Sequence, residues 1–130
     1  MKKILIIEDT AIFREIVREI LELENFQTIL AENGRIGIDL AIQESPDLIL
    51  SDIIMPEMDG DRVLETLRQH PRTANIPLIF LTVKMLPKDS DRGMQLGIDY
   101  LTKPFTCHEL LNAVHIKLAQ NSQKKQSFSL

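Results

Sequence analysis

The chain has 130 residues, 44% hydrophobic and 26% charged, which is the balance of one globular domain with enough length to bury a core. Its 15 basic and 19 acidic side chains leave a formal charge of −4, which argues against broad non-specific DNA binding. A single cysteine, Cys107, excludes an intrachain disulfide and fits a reducing, cytoplasmic setting.

The elements follow in order. The opening MKKILIIEDT has two lysines and an apolar run, Ile4 to Ile7, that ends in two acids. Such a run is too short for a signal-peptide core or a membrane span and predicts a first buried strand. Phe13, Ile16, Val17, Ile20 and Leu21 then recur at helical spacing. A weaker strand is expected at Thr28 to Ala31. After the Asn33-Gly34 turn signal, Ile36, Leu40 and Ala41 mark a second helix. Asp47-Leu48-Ile49-Leu50 is the third apolar run. A third helix starts near Asp59, carries Val63, Leu64 and Leu67, and ends at His70-Pro71. Pro77 to Leu81 gives the fourth strand, and residues 88–96 a mostly polar fourth helix around Met94. Ile98 to Leu101 gives the fifth strand. Leu110, Leu111, Val114 and Leu118 mark a fifth helix with Cys107 on its apolar stripe. Domain organisation follows: residues 1–119 form the domain, and the polar, aperiodic segment 120–130 reads as a disordered end or linker.

Strand and helix alternate five times, which predicts an α/β fold with a parallel sheet and helices on both faces. Continuous apolar runs, rather than alternating ones, are what strands buried on both faces require.

Polar residues stand at the strand ends. Ile7 is followed by Glu8-Asp9, Leu50-Ser51 by Asp52, Leu81 by Thr82, and Leu101-Thr102 by Lys103. Open parallel sheets bind ligands beyond the carboxyl ends of the strands, where the strand order reverses. In the order 2-1-3-4-5 that place lies between strands 1 and 3, so Glu8, Asp9 and Asp52 converge there. Three clustered carboxylates repel one another, and a hard divalent ion such as Mg²⁺ offsets the cost. Lys103 adds positive charge and Thr82 a hydroxyl. An aspartate can itself attack phosphorus to give an aspartyl-phosphate, with cations neutralising the transferred oxygens.

Taken singly, these residues have duller explanations. Asp9 or Thr10 can cap the first helix, Asp52 can begin a turn before Met55-Pro56, Thr82 can be plain strand content, and Lys103-Pro104 can mark a strand end with proline opening the last helix. Their joint order and chemistry favour a site. His108 and His115 lack a third ligand nearby in sequence and read as surface or boundary residues.

With Glu8-Asp9 in IIEDT, Asp52 in DIIMPEMDG, Thr82 in FLTVK and Lys103-Pro104-Phe105 in YLTKPF, residues 3 to about 119 resemble the receiver domain of two-component response regulators, the chemotaxis-regulator-like family. The resemblance implies a flavodoxin-like (βα)5 fold and a phosphorylatable signalling module. It implies that Asp52 is the phosphoacceptor and that Glu8, Asp9, Asp52 and the backbone carbonyl of Ile54 hold Mg²⁺. It places Thr82 and Tyr100 at switch positions and Lys103 on the phosphoryl group. The donor is then a phosphohistidine of a sensor histidine kinase or phosphotransfer protein, docking on the first helix around Phe13, Arg14 and Val17. The output is a changed face of helix 4, strand 5 and helix 5 that binds a downstream protein or a second copy. Such a protein is no conventional enzyme; it catalyses its own phosphorylation and dephosphorylation. Neither nucleic acid nor membrane is expected to bind this chain directly.

Three departures qualify the likeness. Val83 stands where the family usually has alanine or glycine, and Ile54 places an apolar side chain beside the same site. Together they predict a long-lived aspartyl-phosphate. The segment from Gly97 to Tyr100 is one residue short of the commoner form, which predicts an unusually shaped output face. Two other functions compete. An aspartyl-phosphate hydrolase needs an acid two residues past its nucleophile, and Ile54 stands there. A pseudo-receiver would lack some of the five site residues, and all are present.

Overall fold

A computed structural model of the chain describes residues 1–82 and 99–128. Five strands form one all-parallel sheet: β1 (Lys3–Ile7), β2 (Gln27–Ala31), β3 (Leu48–Asp52), β4 (Leu78–Thr82) and β5 (Asp99–Thr102). Their order is β2-β1-β3-β4-β5, the order expected for this doubly wound fold. The register aligns Ile7 with Ser51 and with Ala31, and Thr82 with Thr102, so the carboxyl ends of the strands finish at one edge of the sheet.

Side chains of one strand alternate between faces, and two cores result. Leu5, Ile7, Ile49, Leu78 and Phe80 pack on one side against Ile38 and Ala41 of α2 (Gly34–Glu44) and Val63, Leu64 and Leu67 of α3 (Gly60–Gln69). Ile4, Ile6, Leu48, Leu50, Ile79 and Leu81 pack on the other against Val17 and Leu21 of α1 (Ala11–Leu23) and against Leu110 and Val114 of the C-terminal helix (Cys107–Phe128). Burying each such side chain contributes about 1.5–3 kcal/mol before the cost of ordering the chain. Gly37 lets α2 lie directly on β1, because a Cβ there would run into the Ile7 side chain.

Helix ends show why these segments start and stop. α1 closes with Asn25 in the left-handed region at φ 67°; the Phe26 N–H reaches the Leu21 carbonyl at 3.1 Å and the Asn25 N–H the Glu22 carbonyl at 3.0 Å. This pairing satisfies carbonyls the helix would leave open, and asparagine tolerates the conformation. Asn33 caps α2, its side chain accepting from the Ile36 N–H at 2.9 Å. Asp59 stands at the N-cap of α3 and His70 at its C-cap, as the sequence suggests.

Several details differ from expectation. Proline does not open the C-terminal helix. Thr106 does, through a reciprocal capping box in which the Glu109 N–H donates to Thr106 Oγ1 at 3.0 Å and the Thr106 N–H to Glu109 Oε1 at 2.9 Å. Cys107 is therefore the first helical residue and is exposed, not packed on the apolar stripe. Ile16 and Ile36, counted with the core faces, are 48% and 37% exposed. The backbone stays helical to Phe128, past the point where a tail was expected, because residues 119–127 hold no proline or glycine to stop propagation. The expected helix at 88–96, the Val83 side chain and the start of the Gly97–Tyr100 segment lie outside the described residues. Among the described residues no helix is long and apolar enough to cross a membrane.

Candidate functional site

The carboxyl ends of β1, β3, β4 and β5 bring together the residues the sequence separates. Glu8 directly follows β1 and is fully buried; Asp9 beside it is exposed; Asp52 is the last residue of β3 and is half-buried. One carboxylate oxygen from each of these three lies within 4.8 Å of the others. Lys103, just past β5, sends its Nζ to 3.1 Å from Glu8 Oε2 and 3.5 Å from Asp52 Oδ2. Thr82 ends β4, nearly buried. Its carbonyl accepts from the Lys103 N–H at 2.6 Å, which ties the lysine's backbone to the neighbouring strand end. The Lys103-Pro104 peptide is cis.

Local geometry fixes each acid. The Thr10 N–H donates to Glu8 Oε1 at 3.2 Å, and the Arg14 Nη1 donates to the Glu8 carbonyl at 2.6 Å. Thr10 occupies the N-cap of α1 but its side chain makes no capping bond there. The Ile53 N–H donates to Asp52 Oδ1 at 2.9 Å. Beyond Asp52 the chain turns sharply: Glu57 has φ 69°, and the Gly60 N–H returns to the Ile53 carbonyl at 2.6 Å. Only glycine fits at residue 60, because a Cβ would collide with the Asp52 carbonyl oxygen and the Phe80 ring. Ile54 in this loop is 80% exposed. Tyr100 is half-buried, its ring 5.6 Å from that of Phe80.

Electrostatics follow from this crowding. Burial lifts the Glu8 carboxyl above its ordinary range and the charge of Asp52 lifts it further, against the pull of the Thr10 N–H and the Lys103 ammonium. Burial also raises Asp52, with the charge of Asp9 adding to it, while Lys103 and the Ile53 N–H oppose. One lysine thus leaves both acids under-compensated. The donors are all carboxylate oxygens at a half-open site, a set that fits a hard divalent cation.

The structure thus brings Glu8, Asp9, Asp52, Thr82 and Lys103 to one edge, with Tyr100 on the adjoining strand. Sequence reasoning missed two contributors. Gly60 is invisible until its close approach to Asp52 is seen. Phe13 was read as a docking residue on the first helix, yet its ring centroid lies 4.1 Å from Lys103 Nζ. Its position in the first turn of α1, shortly after the acids that follow β1, is the signal that could have flagged it.

The chain and its fold are similar to known proteins. Residues 4–115 match the model of the response regulator receiver domain. The master transcriptional regulator RpaA of Synechocystis is 38% identical over 128 residues, 98% of this chain and 53% of that protein. Protein PilH of Pseudomonas aeruginosa is 38% identical over 120 residues, 92% of this chain and 99% of that protein. The chemotaxis protein CheY4 of Vibrio cholerae superposes with a TM-score of 0.85 at 27% identity, covering 90% of this chain and 98% of that one. The chain spans a little over half the length of several curated relatives, the transcriptional regulators among them. Fold, clustered acids and family match agree: the chain belongs to the response regulator receiver domain family.

Proposed function

We propose that Asp52 accepts a phosphoryl group from a phosphohistidine of a sensor kinase or phosphotransfer protein, with Mg²⁺ held by Glu8, Asp9, Asp52 and the Ile54 carbonyl. The observation that carries this reading is the convergence of three acids within 4.8 Å, bridged by one lysine, at the strand ends. When bound, the metal neutralises oxygens of the transferred group. An oxygen of the Asp52 carboxylate forms the new bond to phosphorus as the nitrogen–phosphorus bond of the donor breaks. The bonding pair returns to the imidazole nitrogen, and the three remaining phosphoryl oxygens stay in place. Lys103, already between Glu8 and Asp52, faces the charge that the transferred oxygens bring. Attack of water on the same phosphorus breaks the Asp52 oxygen–phosphorus bond, returns its electron pair to the carboxylate and releases inorganic phosphate, which is the chain's self-catalysed dephosphorylation.

Thr82 and Tyr100 then form the switch: the threonine hydroxyl follows the new oxygens, and Tyr100, resting on Phe80, takes up the vacated space. The changed face, which includes β5 and the C-terminal helix, binds a downstream protein or a second copy. Residues 1–119 are the receiver unit in this reading, residues 120–130 link it outward, and the protein works in the cytoplasm.

Incubation with Mg²⁺ and a small acyl phosphate, read by intact mass, tests the proposal. One added phosphoryl group, absent in Asp52→Asn and absent without metal, is the expected result. Folded protein that takes up none would replace it with a receiver that binds partners without phosphorylation.

A further inference from the structure

Phe13 is the third contact that holds the Lys103 ammonium, and nothing in the family motif of acids, threonine and lysine assigns it a part. Lysine carries its charge on a flexible four-carbon stem, so a site that needs that charge in one place must restrain it. Glu8 and Asp52 supply two restraints, at 3.1 and 3.5 Å. The Phe13 ring supplies a third, with its centroid 4.1 Å from Nζ, well within the range of cation–π attraction. The ring is itself fixed. Phe105, two residues past Lys103, meets it edge-to-face, with centroids 5.7 Å apart and planes at 76°. The residues flanking the cis Lys103-Pro104 peptide thus grip one aromatic side chain of α1 from two sides.

We infer that Phe13 is a positioning residue for phosphoryl transfer, holding the Lys103 ammonium over the carboxylates by its ring face without neutralising it. The inference rests on the receiver reading above. Charge bookkeeping explains why a ring suits this position. A third carboxylate would also hold the ammonium, but it would cancel the charge needed by the incoming phosphoryl oxygens. An aliphatic side chain would fill the space and leave the ammonium unrestrained on that side. The ring quadrupole attracts the cation while adding no net charge.

Four variants separate this role from packing. Phe13→Leu and Phe13→Met keep apolar bulk and remove the ring; Phe13→Tyr and Phe13→Trp keep a ring. Two measurements apply to each: the rate of phosphorylation by acyl phosphate at saturating Mg²⁺, and the NMR shift of the Lys103 Hε protons in metal-free protein. The ring face shields those protons, so Leu and Met move them downfield by tenths of a ppm while Tyr and Trp hold them upfield. The rate is expected to fall about tenfold in Leu and Met, equivalent to losing one cation–π contact, and to stay within about threefold in Tyr and Trp. Wild-type rates and shifts in Phe13→Met overturn the inference, since a packing role alone predicts that outcome. If the wild type takes no phosphoryl group, the receiver reading fails, and the Lys103 shift still decides whether the ring holds the ammonium.

Discussion

Replacing Lys103 by methionine tests the electrostatic core of the site. The ammonium lies 3.1 Å from a carboxylate with no exposed surface and 3.5 Å from one that is 15% exposed, and is itself 17% exposed. At an effective dielectric of 20, one charge pair at that distance attracts by about 5 kcal/mol before desolvation is charged against it. Desolvation offsets much of this, and the orphaned acids have an escape: Glu8 already binds its proton more tightly than usual and can neutralise itself. The expected net loss is therefore about 2–4 kcal/mol in metal-free buffer at neutral pH, near the range for orphaning a buried charge. Glu8→Gln removes the buried charge and relieves its repulsion with Asp52, so it costs less. The double variant should be more stable than the sum of the two losses, with a coupling of about 1–3 kcal/mol. Urea unfolding of the four proteins in EDTA measures it. Added Mg²⁺ should restore part of the stability of Lys103→Met, because a bound cation supplies the missing charge and stabilises the state that binds it. A coupling below about 0.5 kcal/mol, with both single variants folded, would refute the reasoning and reduce the lysine to a surface charge.

Other outcomes follow from the same structure. Phe80→Ala should cost about 3–5 kcal/mol in urea unfolding, since that ring is 1% exposed and fills the space between β4 and α3. Gly60→Ala should destabilise by about 1–3 kcal/mol and weaken Mg²⁺ binding measured by titration, because the new methyl displaces the backbone of Asp52. Glu22 lies below its ordinary pKa chiefly through the Thr28 hydroxyl, at 2.5 Å, against desolvation and with Arg18 assisting. Its small stabilising contribution is present above the unfolded carboxylate pKa and is lost as pH falls through the lowered folded value; Thr28→Val should move the NMR titration midpoint of Glu22 upward. Ile54, 80% exposed next to the phosphoacceptor, together with Val83, should give a long-lived aspartyl-phosphate. Loss of phosphate within seconds in a release time course would contradict that, and Ile54→Asn should shorten the lifetime.

The sequence by itself determined the sheet. Runs such as Ile4 to Ile7 and Leu48 to Leu50 have no polar face and are too short for a buried helix, so they read as strands buried on both sides, and their alternation with helical patterns points to a parallel arrangement. It also determined which chemistry gathers, because four of the five strands carry their polar site residue within two positions of the apolar run. Thr106-x-x-Glu109 is a capping box written in four adjacent residues, a local signal that the reading of Pro104 as the opening of the last helix passes over. Tertiary structure decided the rest. Ile16 and Ile36 satisfy the helical period yet stay exposed, because periodicity marks a stripe about a face wide and only packing sets its edges. The partners Lys103 and Glu8 stand 95 residues apart, and no local pattern encodes a distance of 3.1 Å between them. Phe13 looks the same in sequence whether it faces a docking partner or an ammonium. The roll of α1 against β5 and the C-terminal helix decides which, and that roll is set by how Val17, Leu21, Leu110 and Val114 fit together in a shared core.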